Sequence, residues 1–131
     1  MITLDTSGVL ALLNPRDRNH REASEALAGL APTVVPAPAL SEMTHMIGVR
    51  LGREHVVPFL RGFQQGDPLL DCADTDLPRT VELLERFSDL HLGFADAAVI
   101  ACAERNGGAV LTFDRRDLEV IARDIPITLV P

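Results

Sequence analysis

The chain has 131 residues, 47% of them hydrophobic and 24% charged, with a formal net charge of −7. That length holds one domain, and the balance excludes a disordered, collagen-like or membrane-spanning chain. All 12 residues of the Lys+Arg total are arginines, which excludes a Walker-A phosphate loop and Schiff-base chemistry, while the acidic balance excludes a surface given over wholly to nucleic acid but not a nuclease whose acids are neutralised by metal.

Short apolar runs alternate with amphipathic stretches, the pattern of a parallel sheet with crossover helices. Ile2-Thr3-Leu4 reads as a strand, followed by a helix from Ser7 to Asn14 that Pro15 stops. Arg18 to Leu30 reads as a helix with Ala23, Ala26, Leu27 and Leu30 as its buried stripe. Thr33-Val34-Val35 is the next strand. Pro38 opens a helix through Leu51, apolar at Leu40, Met43, Ile47 and Leu51. Glu54 to Gln65 is helical with a bend expected at Pro58, and Leu69 to Ala73 is a strand. Leu77 to Leu90 is a helix with Val81, Leu84 and Phe87 inward. Phe94 to Asn106 is the most apolar helix, stopped by Gly107-Gly108. Ala109 to Thr112, Arg115 to Arg123 and Ile127 to Val130 read as strand, helix and strand. The whole chain, 1–131, reads as one compact three-layer α/β domain. No basic and apolar leader opens it, and Cys72 and Cys102 sit in apolar runs without a Cys-x-x-Cys pair, so a reducing, cytoplasmic setting without a membrane is expected.

Four of the 19 acids stand where solvent exposure does not explain them. Asp5 ends the first strand and Asp114 follows a late one, the positions at which open parallel sheets bind ligands. Taken singly, an aspartate at such a strand-to-helix junction is usually a helix N-cap, and Asp114 with Asp117 resembles a capping box. Glu42 lies beside Met43 and one turn from Met46, and Asp96 is the only charge between His91 and Glu104. A first-turn acid gains about 0.3–1 kcal/mol from the helix dipole, small against the several kcal/mol of desolvating an unpaired ion. If the first and late strands are neighbours, the four acids converge. Two carboxylates ~5 Å apart repel by roughly 3 kcal/mol at an effective dielectric of 20, and a hard cation, Mg²⁺ or Mn²⁺, offsets that. A pair of such ions activates water and supports in-line displacement at a phosphodiester.

Leu4-Asp5-Thr6-Ser7, Leu40-Ser41-Glu42, Phe94-Ala95-Asp96-Ala97-Ala98-Val99 and Leu111-Thr112-Phe113-Asp114-Arg115-Arg116-Asp117-Leu118 resemble, in this order, the four acidic motifs of PIN-domain ribonucleases. In size and motif order the chain is similar to the VapC-type toxins of prokaryotic toxin–antitoxin pairs. The resemblance implies a parallel sheet of order 3-2-1-4-5, Mg²⁺- or Mn²⁺-dependent RNA cleavage, a homodimer and inhibition by a cognate VapB-like antitoxin. It makes Asp5, Glu42, Asp96 and Asp114 the catalytic and metal-binding quartet, with Thr112 and Asp117 in support.

Arg115 and Arg116 are candidates for RNA phosphates or simply a solvated helix start. The histidines lack zinc spacing; His20 and His45 are read as solvent-facing, rim or core residues. The helices carrying Met43, Val56, Val57, Phe59, Leu60 and Phe63 supply more apolar surface than one core needs, which suits either a partner helix or a dimer seam, or else simply core. The rival readings are a binding module whose acids only cap helices, and a small phosphatase or nucleotide-binding protein. The second lacks the lysine and glycine-rich loop it requires.

Overall fold

The computed structural model describes residues 1–29, 31–71 and 74–131. Five short strands form one parallel sheet: β1 (Ile2–Leu4), β2 (Thr33–Pro36), β3 (Leu69–Asp71), β4 (Ala109–Leu111) and β5 (Thr128–Val130), in the order β3-β2-β1-β4-β5. Near-continuous apolar runs make β1, β2 and β4, because strands covered on both faces need no polar side. The chain moves outward from β1 through β2 to β3, then returns to β4 on the other side of β1. Leu4 pairs in register with Leu111. The order in which strands are added therefore reverses between β1 and β4, which remain parallel, and their carboxyl ends open side by side.

Right-handed crossovers put α1 (Thr6–Leu13), α2 (His20–Ala26), α3 (Leu40–Arg50) and α4 (Val56–Gln64) over one face. They put α5 (Leu77–Arg86), α6 (Phe94–Arg105) and α7 (Arg116–Ala122) over the other. This is the three-layer α/β/α architecture and strand order expected. Helix α6 is buried from Ala97 to Ala103 without interruption, because small side chains let it lie across β1, β2 and β4. Gly107 and Gly108 adopt φ of +95° and +88° after its last turn, the conformation that ends a helix at little cost only in glycine.

Several boundaries move. Helix α2 starts at His20 rather than Arg18, after Asn14 and Asp17 accept backbone N–H groups in two successive turns, and it ends at Ala26, with residues 27–29 in a turn, rather than running on toward Leu30; Leu30 itself lies outside the described residues, as do Cys72 and Ala73 in the expected third strand. The apolar face of α5 is also rotated. Thr80, Leu83 and Phe87 are buried, while Val81 is 44% exposed and Leu84 is only partly covered. The threonine accounts for it: its hydroxyl donates to the Asp76 carbonyl, so a polar residue meets its needs locally and occupies the inner face. On α4 the apolar excess is real. Phe59 is buried and stacks edge-on with Phe63 at 5.1 Å, but Val57 remains 56% exposed and Val49 of α3 68% exposed. They border a groove of about 590 Å³ between α3 and α4. Cys102 is buried, and burial beside the Asp71 carboxylate pushes its thiol up to about 12, so it stays protonated and unreactive.

Candidate active site

The carboxyl ends of β1 and β4 form one wall of a cleft of about 370 Å³. Asp5 leaves β1 with its N–H donating to the Leu111 carbonyl at 3.1 Å, and it is buried. Its two oxygens divide the local work. Oδ1 accepts the Thr6 N–H at 2.8 Å, so Asp5 does cap α1, while Oδ2 accepts the Thr112 hydroxyl at 2.8 Å and the Ser7 hydroxyl at 3.3 Å. A carboxylate offers about four acceptor positions, so one on Oδ1 stays available. Burial raises the Asp5 pKa, the hydrogen bonds from Thr112, Thr6 and Ser7 oppose the shift, and Asp114 adds repulsion.

Asp96 sits half-buried in the first turn of α6, where Oδ2 accepts the Gly93 N–H at 3.1 Å. That bond is the returning half of a capping box, so the acid is locally satisfied as well as desolvated. Its pKa is raised by burial and then by the charges of Asp5, Asp114 and Asp117, against the Gly93 bond. The two strand ends and α6 thus bring Asp5, Asp114 and Asp96 to the lining of one cleft. Asp117 is half-buried close by. Asp114 is exposed on the cleft wall and caps nothing: α7 begins at Arg116, with Arg115 at the cap position and no side-chain cap bond. The capping-box alternative for Asp114 and Asp117 is not formed.

Glu42 lines the same cleft from the first turn of α3 but is exposed. Desolvation thus explains Asp5 and Asp96, not Glu42, because the helix turns its Met43–Ile47 face inward and leaves Glu42 on the cleft side. Arg115 does not face the cleft: it donates to Glu119 and to the Pro131 carbonyl. Arg116 is exposed and does not line it either. His20 donates from Nδ1 to the Ala11 carbonyl at 2.8 Å, satisfying one of the open carbonyls near the end of α1. His45 is an exposed rim residue of the α3–α4 groove.

Three residues of the cleft carried no role in the sequence reading. Ser7 ties the loop after β4 to α1: its oxygen accepts the Phe113 N–H at 2.9 Å and the Asp114 N–H at 3.3 Å, and it lies 3.2 Å from the Thr112 hydroxyl. Asp17 adds a fifth carboxylate to the wall, and Arg50, from the last turn of α3, adds a cation. A stripe of Glu42, Met46 and Arg50 at i, i+4, i+8 was the available signal for the last. Ser7→Ala is expected to leave the Phe113 N–H without its partner, while the Asp114 N–H keeps the Thr112 hydroxyl oxygen at 3.2 Å, and to cost about 1–3 kcal/mol, with a further loss of function of about 10–100-fold because Asp114 and Asp5 lose part of their orientation. A wild-type melting temperature for Ser7→Ala would show that the bridge does not hold the loop.

Some acids elsewhere are held in ion pairs. Arg105 pairs with Asp71 and Asp76, and Arg79 with Glu104 and Glu82, each arginine having its pKa raised by those partners. Among the described residues no cation pairs with Asp5, Glu42, Asp96 or Asp114. The donor set is all oxygen, which suits a hard divalent cation. Among the described residues no three carboxylates, histidines or cysteines form a group that could hold a metal ion. Mg²⁺ keeps several waters and uses one or two carboxylates directly, so an open wall of acids around the unfilled Asp5 position fits a hydrated ion.

The family model described as PIN domain matches residues 2–124. The curated protein Ribonuclease VapC26 of Mycobacterium tuberculosis (strain ATCC 25618 / H37Rv) is 26% identical over 121 residues, covering 90% of each chain. Among solved structures, the sarcin-ricin loop cleaving toxin VapC20 of M. tuberculosis superposes with a TM-score of 0.79 at 21% identity, over 92% of this chain and 95% of that one. FitAcB of Neisseria gonorrhoeae does so with a TM-score of 0.69 at 15% identity, over 100% and 97%.

Proposed function

Since this chain belongs to the PIN-domain family, we propose that it is a VapC-type toxin whose cleft hydrolyses RNA phosphodiester bonds with Mg²⁺ or Mn²⁺. The observation that carries the reading is the group of acids without cationic partners at the β1–β4 switch point. Nothing in the local structure requires so much like charge there. Similarity to VapC26, a ribonuclease by name, supports the RNA substrate.

Asp5, Asp96 and Asp114 would hold the ion, with Glu42 on the facing wall. When bound, a divalent cation supplies Lewis-acid polarisation of a phosphate oxygen and a water acidic enough to attack it. The chain's own contribution is orientation. Thr112 and Ser7 fix Asp5, the Gly93 N–H fixes Asp96, and the Ser7-bound loop fixes Asp114. A cap-only binding module is disfavoured because Asp114 and Glu42 receive no cap bond.

The protein acts in the cytoplasm as a homodimer, held in check by a VapB-like antitoxin. No helix among the described residues is long and apolar enough to cross a membrane. An apolar stripe of the antitoxin covers the exposed Val49 and Val57 beside the α3–α4 groove, and a cationic side chain reaches the acidic cleft, where its charge substitutes for metal. The test is a melt in EDTA and in Mn²⁺, with cleavage of a mixed RNA pool. Metal at 100-fold over its Kd is expected to add about 2.7 kcal/mol of stability. Identical melts and an intact RNA pool would overturn the reading.

A further inference from the structure

An RNA strand entering this cleft meets five carboxylates, Asp5, Asp17, Glu42, Asp96 and Asp114, on a chain of net charge −7. One cation, Arg50, lines the same cleft among the described residues. Its placement follows from α3. Residues 42 and 50 are separated by about 12 Å of helix rise, and helical side chains lean toward the N-terminus, so the guanidinium reaches back from the end of the helix toward the acids. Arg50 is exposed, and no carboxylate among the described residues pairs with it. By contrast Arg79, Arg105 and Arg115 are each held by acids of the fold. Residue 50 therefore has its five donors available at the mouth of a site whose substrate is a chain of phosphates.

Resting on the reading of the cleft as an RNA-cleaving site, we infer that Arg50 is its phosphate clamp: a positioning residue that grips an RNA phosphate next to the one being cut. The planar guanidinium donates two parallel N–H bonds to a phosphodiester, a fit lysine does not reproduce. Two turns along α3 from Glu42, it holds the strand rather than the reacting atoms, so it acts on binding and not on the chemical step. A helix C-terminus favours a cation by itself, and that is the bland role the test must separate.

The test uses the full chain and a single-stranded RNA oligonucleotide that the wild type cuts in Mn²⁺. Arg50→Gln is expected to raise KM about tenfold, the lower end of what a charged hydrogen bond contributes, with kcat within twofold. The slope of log kcat/KM against log salt becomes shallower by about 0.7, the value of one phosphate contact on a single strand. Arg50→Lys recovers part of the KM. Arg53→Gln, in the separate α3–α4 groove, changes neither quantity. An Arg50→Gln protein with wild-type KM and salt slope overturns the inference, as does a fall in kcat at constant KM or a loss confined to the melting temperature. A wild type that cuts no RNA in Mn²⁺ overturns the proposed function first, and the clamp falls with it.

Discussion

Asp5→Asn is expected to lower RNA cleavage by a hundredfold or more while leaving the metal-free protein as stable as the parent, or more stable. The orienting partners of a metal ligand are worth about 10–100-fold, and a ligand itself is worth at least that. Asparagine caps a helix about as well as aspartate, so the Thr6 N–H keeps an acceptor. What the change removes is a buried charge repelled by Asp114. Burial raises the folded Asp5 pKa above the ordinary 3.8, so the folded state holds the proton more tightly than the unfolded chain. Stability then falls as pH rises through the folded value, and the cost of the ionised group is fully present above it. The advantage of Asp5→Asn in EDTA should therefore be largest above the folded pKa and shrink as the pH drops toward the ordinary 3.8. Asp96→Asn should follow the same course, its raised pKa having burial as its first cause and the same acidic neighbours. Melts of each variant in EDTA across this range, paired with cleavage in Mn²⁺, decide it. A stable Asp5→Asn protein that cuts RNA at the wild-type rate contradicts the assignment.

Gly8→Ala should be the most destabilising single-methyl change near the site, at about 3 kcal/mol, the upper end for overpacking. A Cβ at Gly8 would lie 2.5 Å from the Leu111 carbonyl oxygen. That atom is backbone in a central strand and already accepts the Asp5 N–H, so it cannot swing aside as a side chain would. Helix α1 must lift away from β4. Lifting it parts Asp5 and Ser7 from Thr112, so activity falls with stability. For a chain of this size the expected fall in melting temperature is roughly 10 °C. Gly29→Ala, with open space around its Cβ, is the control and should change little. A Gly8→Ala protein melting like the parent would mean that the close approach of α1 to β4 is not needed.

The architecture was legible because its signals are local. Apolar runs such as Val110-Leu111 and the 3.6-residue spacing of Met43 and Ile47 give element types without reference to distant parts of the chain. The strand order came from a different source, the resemblance of four short acidic motifs to a family. It is the adjacency of β1 and β4 that turns those motifs into one cleft. Errors arose where a polar side chain satisfied itself locally. Thr80 bonds the carbonyl four residues back and takes the inner face of α5 from Val81, and the Asn14 and Asp17 turns delay α2 to His20.

What the sequence determined by itself was which residue types stand at the ends of strands and in the first turns of helices. Asp5, Glu42, Asp96 and Asp114 were identified that way, and so was the lack of any lysine to neutralise them. Only the tertiary structure decided how those positions meet. Ser7 and Thr112 are 105 residues apart and lie within 3.2 Å of each other, Glu42 is exposed, Arg115 turns to the C-terminus, and Arg50 supplies the cleft's cation. The physical reason is range. Hydrophobic periodicity and capping act over three or four residues, so they can be read from neighbours along the chain. The direction of a long arginine, or the partner of a serine hydroxyl, is set by elements that become neighbours only when the sheet closes.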